Sequence, residues 1–91
     1  MAAYFEDSEI LKALGHPVRL KIVRGLLSKK ECNVNKMVKE LGLPQSTVSQ
    51  HLGLLRSRGL VSIRKEGVQT CYRILDKRIE LIIKVLSGQL K

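Results

Sequence analysis

Residues 34–60 constrain the fold most, because they have the pattern of two short helices joined by a tight turn. Apolar residues recur at helical spacing in the first half, and Gly42 follows them, where a positive φ allows a sharp helix exit. Pro44 then fixes the start of a second helix, which again carries an apolar stripe. The segment therefore predicts a helix-turn-helix, a motif that places its second helix in the major groove of DNA.

Small hydrogen-bonding side chains occupy the first turns of this second helix. Side chains of this kind contact base edges and phosphates when a helix enters the major groove. The residues predicted to do so are Gln45, Ser46, Thr47, Ser49 and Gln50. Each has an ordinary alternative, because Ser46 and Thr47 also suit a helix start and Ser49 also suits a solvated surface. Their spacing within one helix-turn-helix favours a DNA-contacting face.

The net charge agrees with a polyanionic partner. The 91 residues include 17 Lys and Arg against 8 Asp and Glu, a formal charge of +9 at pH 7. Aromatic residues make up 3% of the chain and Trp is absent, which disfavours a protein that stacks single-stranded bases on exposed rings. Double-stranded DNA is therefore the predicted partner.

The residues after the helix-turn-helix predict a β-hairpin. Apolar and polar residues alternate over 60–74 around a turn at Glu66-Gly67, and Arg64 and Lys65 bring positive charge close to its tip. A helix-turn-helix followed directly by a basic hairpin is a winged helix-turn-helix. The hairpin is then the wing, and its two basic residues are candidate DNA contacts.

The rest of the chain completes a mainly α fold of five helices, with a short strand before the third helix and the hairpin between the fourth and fifth. Pro17 opens a second helix that runs to about Leu27, and Asn33 suits the N-cap of the third helix, which begins at Val34. No linker or repeat interrupts this order. Residues 1–91 are therefore interpreted as a single domain.

Helices at both ends of the chain carry apolar stripes. The first helix is predicted at Ser8–Leu14, with Ser8 or Asp7 as its cap, and the last begins after Asp76. So small a domain does not need both stripes for its own core, so we expect a homodimer that buries them between two copies. The predicted interface residues are Ile10, Leu11, Leu14, Ile79, Ile82, Ile83 and Leu86.

Several functional classes find no support in the sequence. No apolar run approaches the ~20 residues of a membrane span and no signal-peptide pattern is present, so we expect a cytoplasmic protein without a membrane partner. Nucleophile–base sets, paired carboxylates and phosphate-binding glycine loops are also missing, so neither an enzyme nor a cofactor is expected. Two alternatives to a regulated DNA-binding protein stay open, a winged helix that docks to proteins and an architectural DNA-binding protein without an effector.

The run LPQSTVSQHLGLLRSRGLV, with ALGHPVRLKIV at 13–23 and GVQTCYRI at 67–74, resembles the ArsR/SmtB family of transcriptional repressors. The resemblance covers about residues 9 to 86. It implies a two-fold dimer through the first and last helices, with one recognition helix in each major groove of an inverted-repeat operator. It also places the family's DNA contacts at Gln45, Ser46, Ser49 and Gln50, and at Arg64 and Lys65 in the wing.

Metal ions or arsenicals are the usual effectors of that family, and here the resemblance implies that their ligands are missing. Asn33 and Asn35 stand where one family site has paired thiolates, and an amide does not replace a thiolate toward a soft ion. The other family site pairs carboxylates with histidines on the last helix, and residues 76–91 contain no His. We therefore expect no metal at either site.

Cys32 and Cys71 are the remaining candidates for a signal. They fall on a short strand and on the second wing strand, which pair in winged helices, so a disulfide or persulfide switch is one hypothesis. The alternative is that both are packing residues, because strand alternation turns Cys71 away from an inward Cys32. His51 also has two interpretations, a structural or backbone-contacting residue, which we favour, or a ligand.

Overall fold

The computed structural model describes residues 1–29 and 32–88, and this part of the chain contains five helices and three strands. In chain order they are α1 (Ala2–Leu14), α2 (Pro17–Lys29), β1 (Cys32–Asn33), α3 (Val34–Leu41), α4 (Gln45–Ser57), β2 (Val61–Glu66), β3 (Gln69–Ile74) and α5 (Lys77–Leu86). The predicted winged helix-turn-helix is confirmed, with α3 and α4 as its two central helices and β2 and β3 as the wing.

The first helix is longer than predicted, because it begins at Ala2 and not at Ser8. Ser8 lies inside the helix, where its hydroxyl donates to the Phe5 carbonyl at 2.8 Å and does not cap a helix end. Ala2, Ala3 and Glu6 are good helix formers, and they extend the helix without a side-chain cap. The first helix therefore presents an additional turn and a half of surface.

Two predicted helix starts and one predicted helix end are confirmed. The Asn33 side chain accepts a hydrogen bond from the Lys36 amide at 2.9 Å at the start of α3, and Asp76 accepts one from the Arg78 amide at 2.9 Å at the start of α5. Gly42 ends α3 in the left-handed region, with φ of 67°. The two caps fix where α3 and α5 begin, and Gly42 fixes the turn between α3 and α4.

The three strands form one antiparallel sheet in the order β1-β3-β2. A two-residue turn at Gly67-Val68 joins β2 to β3, one residue later than predicted, because Glu66 still pairs with Gln69 as the last row of the ladder. Gly67 has a φ of 59°, a value that this short hairpin turn requires of its first residue. The two residues of β1 pair with β3 and so attach the wing to the start of α3.

One face of α4 supplies the centre of the core. The predicted stripe of Val48, Leu52 and Leu55 is confirmed, and all three side chains are completely buried. They pack in a cluster with buried residues from the other helices and the sheet, among them Val23, Leu26, Leu60, Val61 and Ile79. The opposite face of α4 consequently points away from the body of the chain.

Four of the seven residues predicted at a dimer interface lie in the core of the single chain. These are Ile10, Leu14, Ile79 and Ile83, none of them more than 7% exposed. Leu11 and Leu86 are exposed and Ile82 is half-buried. Of the two predicted stripes, only Leu11, Ile82 and Leu86 therefore leave apolar surface for a partner.

We predict that Leu52→Ala lowers the free energy of unfolding by about 2–5 kcal/mol, because it removes a fully buried side chain and leaves a cavity. Urea unfolding at a fixed protein concentration measures the loss. Leu75→Ala is the matched control, since Leu75 is 57% exposed and its truncation should cost well under half as much. Equal losses for the two variants would contradict the assignment of α4 to the core.

Candidate nucleic-acid interface

The exposed face of α4 carries four of the five helix residues predicted to contact DNA. Gln45, Ser46, Ser49 and Gln50 are exposed, and their i, i+4 spacing aligns them in two rows along the helix. Thr47 is half-buried beside the stripe and belongs only partly to this face. We call Gln45, Ser46, Ser49 and Gln50 the polar strip of α4.

The electrostatics of this helix favour an anion. α4 contains no acidic residue, and the polar strip begins at its N-terminus, where the helix dipole is positive. Arg56 and Arg58 add positive charge at its C-terminal end, although Arg58 also pairs with Glu9 of α1 at 2.9 Å. A phosphate backbone lying along α4 would meet no carboxylate on the helix itself.

The wing places Arg64 and Lys65 on the second half of β2, and both side chains are exposed. Arg64 Nη2 contacts Glu66 Oε1 at 2.7 Å, a pair that the sequence analysis missed. The signal for it was available, because residues two apart on a strand point to the same face. Part of the positive charge of the wing is therefore balanced by its own carboxylate.

A polar cleft of about 200 Å³ separates the wing from the helix-turn-helix. Amide and hydroxyl side chains line most of it, and it opens at the N-terminal end of α4. Its lining residues are Asn33, Val34, Asn35, Gln45, Val68, Gln69 and Thr70. Asn35, Gln69 and Thr70 were not among the predicted site residues, because nothing in the local sequence distinguishes them from ordinary surface amides and hydroxyls.

His51 lies on the side of α4 that faces α1 and α2, and it is half-buried. Its Nδ1 is 3.2 Å from Arg19 Nη1, and its ring lies 4.6 Å from the ring of His16 between centroids. Burial lowers the pKa of His51, and the nearby charges of His16 and Arg19 lower it further. These contacts agree with the favoured structural interpretation of His51.

The two cysteines are not directly opposite each other in the sheet. Cys71 on β3 is half-buried and pairs in register with Asn33 on one side and Arg64 on the other, while the backbone of Cys32 pairs with Tyr72. The side chain of Cys32 lies outside the part of the chain that the structure describes. A Cys32–Cys71 disulfide therefore stays a prediction.

The described residues include no group of three or more His, Cys, Asp or Glu side chains placed to hold a metal ion. Asn33, at one of the two positions considered for a metal, uses its side-chain oxygen to cap α3.

Within residues 1–29 and 32–88, none of the helices combines the length and the apolar character needed to cross a membrane.

Comparison with known sequences identifies relatives over nearly the whole chain. The profile of the arsR family of bacterial regulatory proteins matches residues 16–62, about half of the 91 residues. The transcriptional repressor PagR of Bacillus anthracis is 43% identical over 90% of this chain and 82% of its own length. An HTH-type transcriptional regulator of Methanocaldococcus jannaschii is 42% identical over 96% of this chain and 98% of that protein.

Solved structures show the same architecture. The crystal structure of PagR superimposes with a TM-score of 0.85 at 41% identity, covering 93% of this chain and 97% of PagR. Reduced HlyU from Vibrio cholerae superimposes with a TM-score of 0.89 at 32% identity, covering 98% of this chain and 93% of HlyU. In each case the match covers more than nine-tenths of this chain.

Proposed function

The chain belongs to the arsR family of bacterial regulatory proteins, and on that premise we propose that it acts as a homodimer on an inverted-repeat operator. It is a DNA-binding transcriptional repressor and not an enzyme, as its relatives are named repressors and regulators. The observation that carries the proposal is the polar strip, which lies on the outward face of a helix whose inward face is completely buried. We place this activity in the cytoplasm.

In the proposed complex the N-terminal half of α4 enters the major groove. Gln45 and Gln50 contact base edges, because an amide side chain pairs in a bidentate way with adenine. Ser46, Thr47 and Ser49 donate to phosphates or to base edges at the sides of the groove. Arg64 and Lys65 bind the phosphate backbone beside the groove, and a homodimer with twice the +9 charge of one chain adds long-range attraction.

The proposed dimer interface is formed by α1 and α5, which lie side by side. A shallow apolar groove between them is lined by Ile10, Leu11 and Ile82, with Asp7 and Arg78 at its edge. Exposed apolar side chains extend this surface along both helices. They are Tyr4, Phe5 and Leu11 on α1, and Leu81, Val85 and Leu86 on α5. Their burial in a second copy would remove the largest exposed apolar side chains of the two terminal helices from water.

The dimer is tested with Leu11→Glu combined with Leu86→Glu. Burying two carboxylates from each copy in an apolar interface is strongly unfavourable, so we expect the dimer to weaken by roughly 100-fold or more. Sedimentation velocity at micromolar concentration measures the change. Val68→Glu is the control, because Val68 is fully exposed at the wing tip and should leave the dimer intact. A wild-type monomer at these concentrations would refute the proposal.

Two duplexes test which residues read bases and which bind the phosphate backbone. One comes from the region upstream of the gene, and the other has a random sequence. We expect Gln45→Ala and Gln50→Ala to lose about 1–3 kcal/mol on the upstream duplex and little on the random one. Lys65→Ala should weaken both duplexes alike and reduce the slope of log K against log salt by about 1. Fluorescence anisotropy at several salt concentrations gives both quantities.

Glu66→Gln is a matched control for the wing. It removes the carboxylate that holds Arg64 at 2.7 Å, so it should strengthen binding to both duplexes without changing the preference between them. Gln45→Ala and Gln50→Ala proteins that keep the full preference would refute the assignment of base readout. A dimer that binds neither duplex in a salt-dependent way would instead support a protein-docking winged helix.

The proposed signal is oxidation of the Cys32 and Cys71 thiols, which would tie the strand before α3 to the wing. Allosteric coupling of this kind typically changes DNA affinity by about 5- to 150-fold. Mild oxidation followed by intact-mass measurement should show the loss of two hydrogens, and Cys71→Ser should abolish both that loss and any effect of the oxidant on DNA binding. Equal DNA affinities of the oxidised and reduced proteins would assign both cysteines to packing.

A further inference from the structure

Arg19 joins three helices at the inner side of α4. From α2 its Nε donates to the Ala13 carbonyl at 2.5 Å, and its Nη2 donates to the Lys12 carbonyl at 3.4 Å. Both carbonyls lie in the last turn of α1, where helix carbonyls lack their usual i+4 donors, and the Lys12 carbonyl also accepts from the Gly15 amide at 3.2 Å. A guanidinium is also favoured there by the negative end of the helix dipole. Arg19 therefore caps the C-terminal end of α1.

The third contact of Arg19 is with the recognition helix. Its Nη1 lies 3.2 Å from Nδ1 of His51 on α4. A guanidinium has donors only, so the His51 Nδ1 must be unprotonated in order to accept this hydrogen bond. One arginine thus connects the end of α1 with the middle of α4, and the connection requires a neutral His51.

The surroundings of His51 make a second positive charge unfavourable. The ring of His16, in the connection between α1 and α2, lies 4.6 Å from the ring of His51 at a tilt of 44°, and its Nδ1 accepts from the Val18 amide at 3.1 Å. The carboxylate of Glu9, on α1, is held by Arg58 at 2.9 Å and by Lys12 at 3.9 Å. Among the described residues, the ionisable groups that act on His51 are therefore Arg19 and His16, and neither carries negative charge.

We propose that Arg19 is a positioning residue that ties α4 to α1 through His51, and that acid weakens operator binding by breaking this tie. The inference rests on the proposed function, in which α1 lies in the dimer interface and α4 lies in the groove. In such a dimer the attachment of α4 to α1 sets the distance and angle between the two recognition helices. A proton on His51 removes the acceptor for Arg19 and places two cations in contact.

The direction of the pH effect follows from the lowered pKa of His51 in the folded chain. A histidine whose pKa is lowered by folding contributes its full stabilisation above its ordinary value of about 6.5. That contribution is lost as the pH falls below this value toward the lowered pKa. General electrostatics act in the opposite direction, because protonated histidines add positive charge and would strengthen DNA binding. The sign of the pH effect on DNA affinity therefore distinguishes loss of the Arg19–His51 hydrogen bond from general electrostatic attraction.

The tie is first tested in the free protein, without DNA. Proton NMR of the histidine rings between pH 5 and 8 should give a pKa for His51 below the ordinary value. Arg19→Met removes the adjacent cation, so it should raise that pKa. A wild-type value at or above about 6.5 would overturn the inference whether or not the chain binds DNA.

The consequence for DNA is measured with the upstream duplex at pH 7.5 and at a pH about one unit below the pKa that NMR gives for His51, at constant ionic strength, with circular dichroism to verify the fold. We expect the wild type to lose about 5-fold or more in affinity at the lower pH. His51→Asn should bind as the wild type does at pH 7.5 and lose little at the lower pH, because its amide oxygen accepts from Arg19 and takes no proton. His16→Asn, which keeps an acceptor for the Val18 amide, should retain the pH dependence.

Two results would overturn the inference while leaving operator binding intact. One is an equal loss on acidification in the wild type and in His51→Asn, and the other is a gain in wild-type affinity at the lower pH. Absence of duplex binding at every pH would instead refute the proposed function, and the NMR titration would still decide whether the tie exists.

Discussion

The complete burial of Val48, Leu52 and Leu55 determines how α4 is oriented, and most of the other features depend on that orientation. Burying side chains of this size contributes about 1.5–3 kcal/mol each, so rotation of the helix about its axis would be costly. The polar strip is exposed because it lies on the other side of the same helix. The stability of the fold and the presentation of the side chains proposed to contact DNA therefore arise from one packing arrangement.

Charge is distributed unevenly around this helix. Several acidic residues on α1, α3 and α5 form ion pairs with nearby bases, such as Glu9 with Arg58, Glu40 with Lys29 and Glu80 with Lys84. Exposed pairs of this kind contribute little to stability. Their effect here is to neutralise bases on the body of the chain, whereas α4 has no acid of its own and the wing has only Glu66. Arg56 on α4 and Lys65 on the wing are therefore available to an anionic partner outside the chain.

Local features of the fold could be predicted from the sequence, because their causes lie within a few residues. The caps at Asn33 and Asp76, the glycine at 42 and the period of α4 are all of this kind. Periodicity also identified the apolar faces of α1 and α5, but it does not say what covers them. Ile10 and Ile79 proved to be covered by the chain itself, whereas the exposed Tyr4 and Phe5 lay in a turn that was not predicted to be helical.

Long-range contacts could not be predicted from the sequence, because the residues that form them lie far apart in the chain. Arg19 and His51 are 32 residues apart, and each has an ordinary role when considered alone, as an exposed base on α2 and as a histidine near a buried stripe. Only the crossing of α2 and α4 brings them into contact. The pair Arg64–Glu66 was closer to prediction, since two residues on one strand face determine it, but the turn had been placed one residue too early.

The pairing of β1 with β3 gives the wing two mechanically different parts. β1 contacts only the rows of Cys71 and Tyr72, so the sheet has three strands there and two strands from the row of Lys65 outward. A two-stranded ribbon has little stability of its own, whereas the three-stranded base is fixed to the start of α3. The wing therefore has a stiff root and a compliant tip, and the boundary falls at Arg64. In the proposed complex, a wing built in this way would follow local variation in groove width at its tip while its root keeps a constant angle to α4.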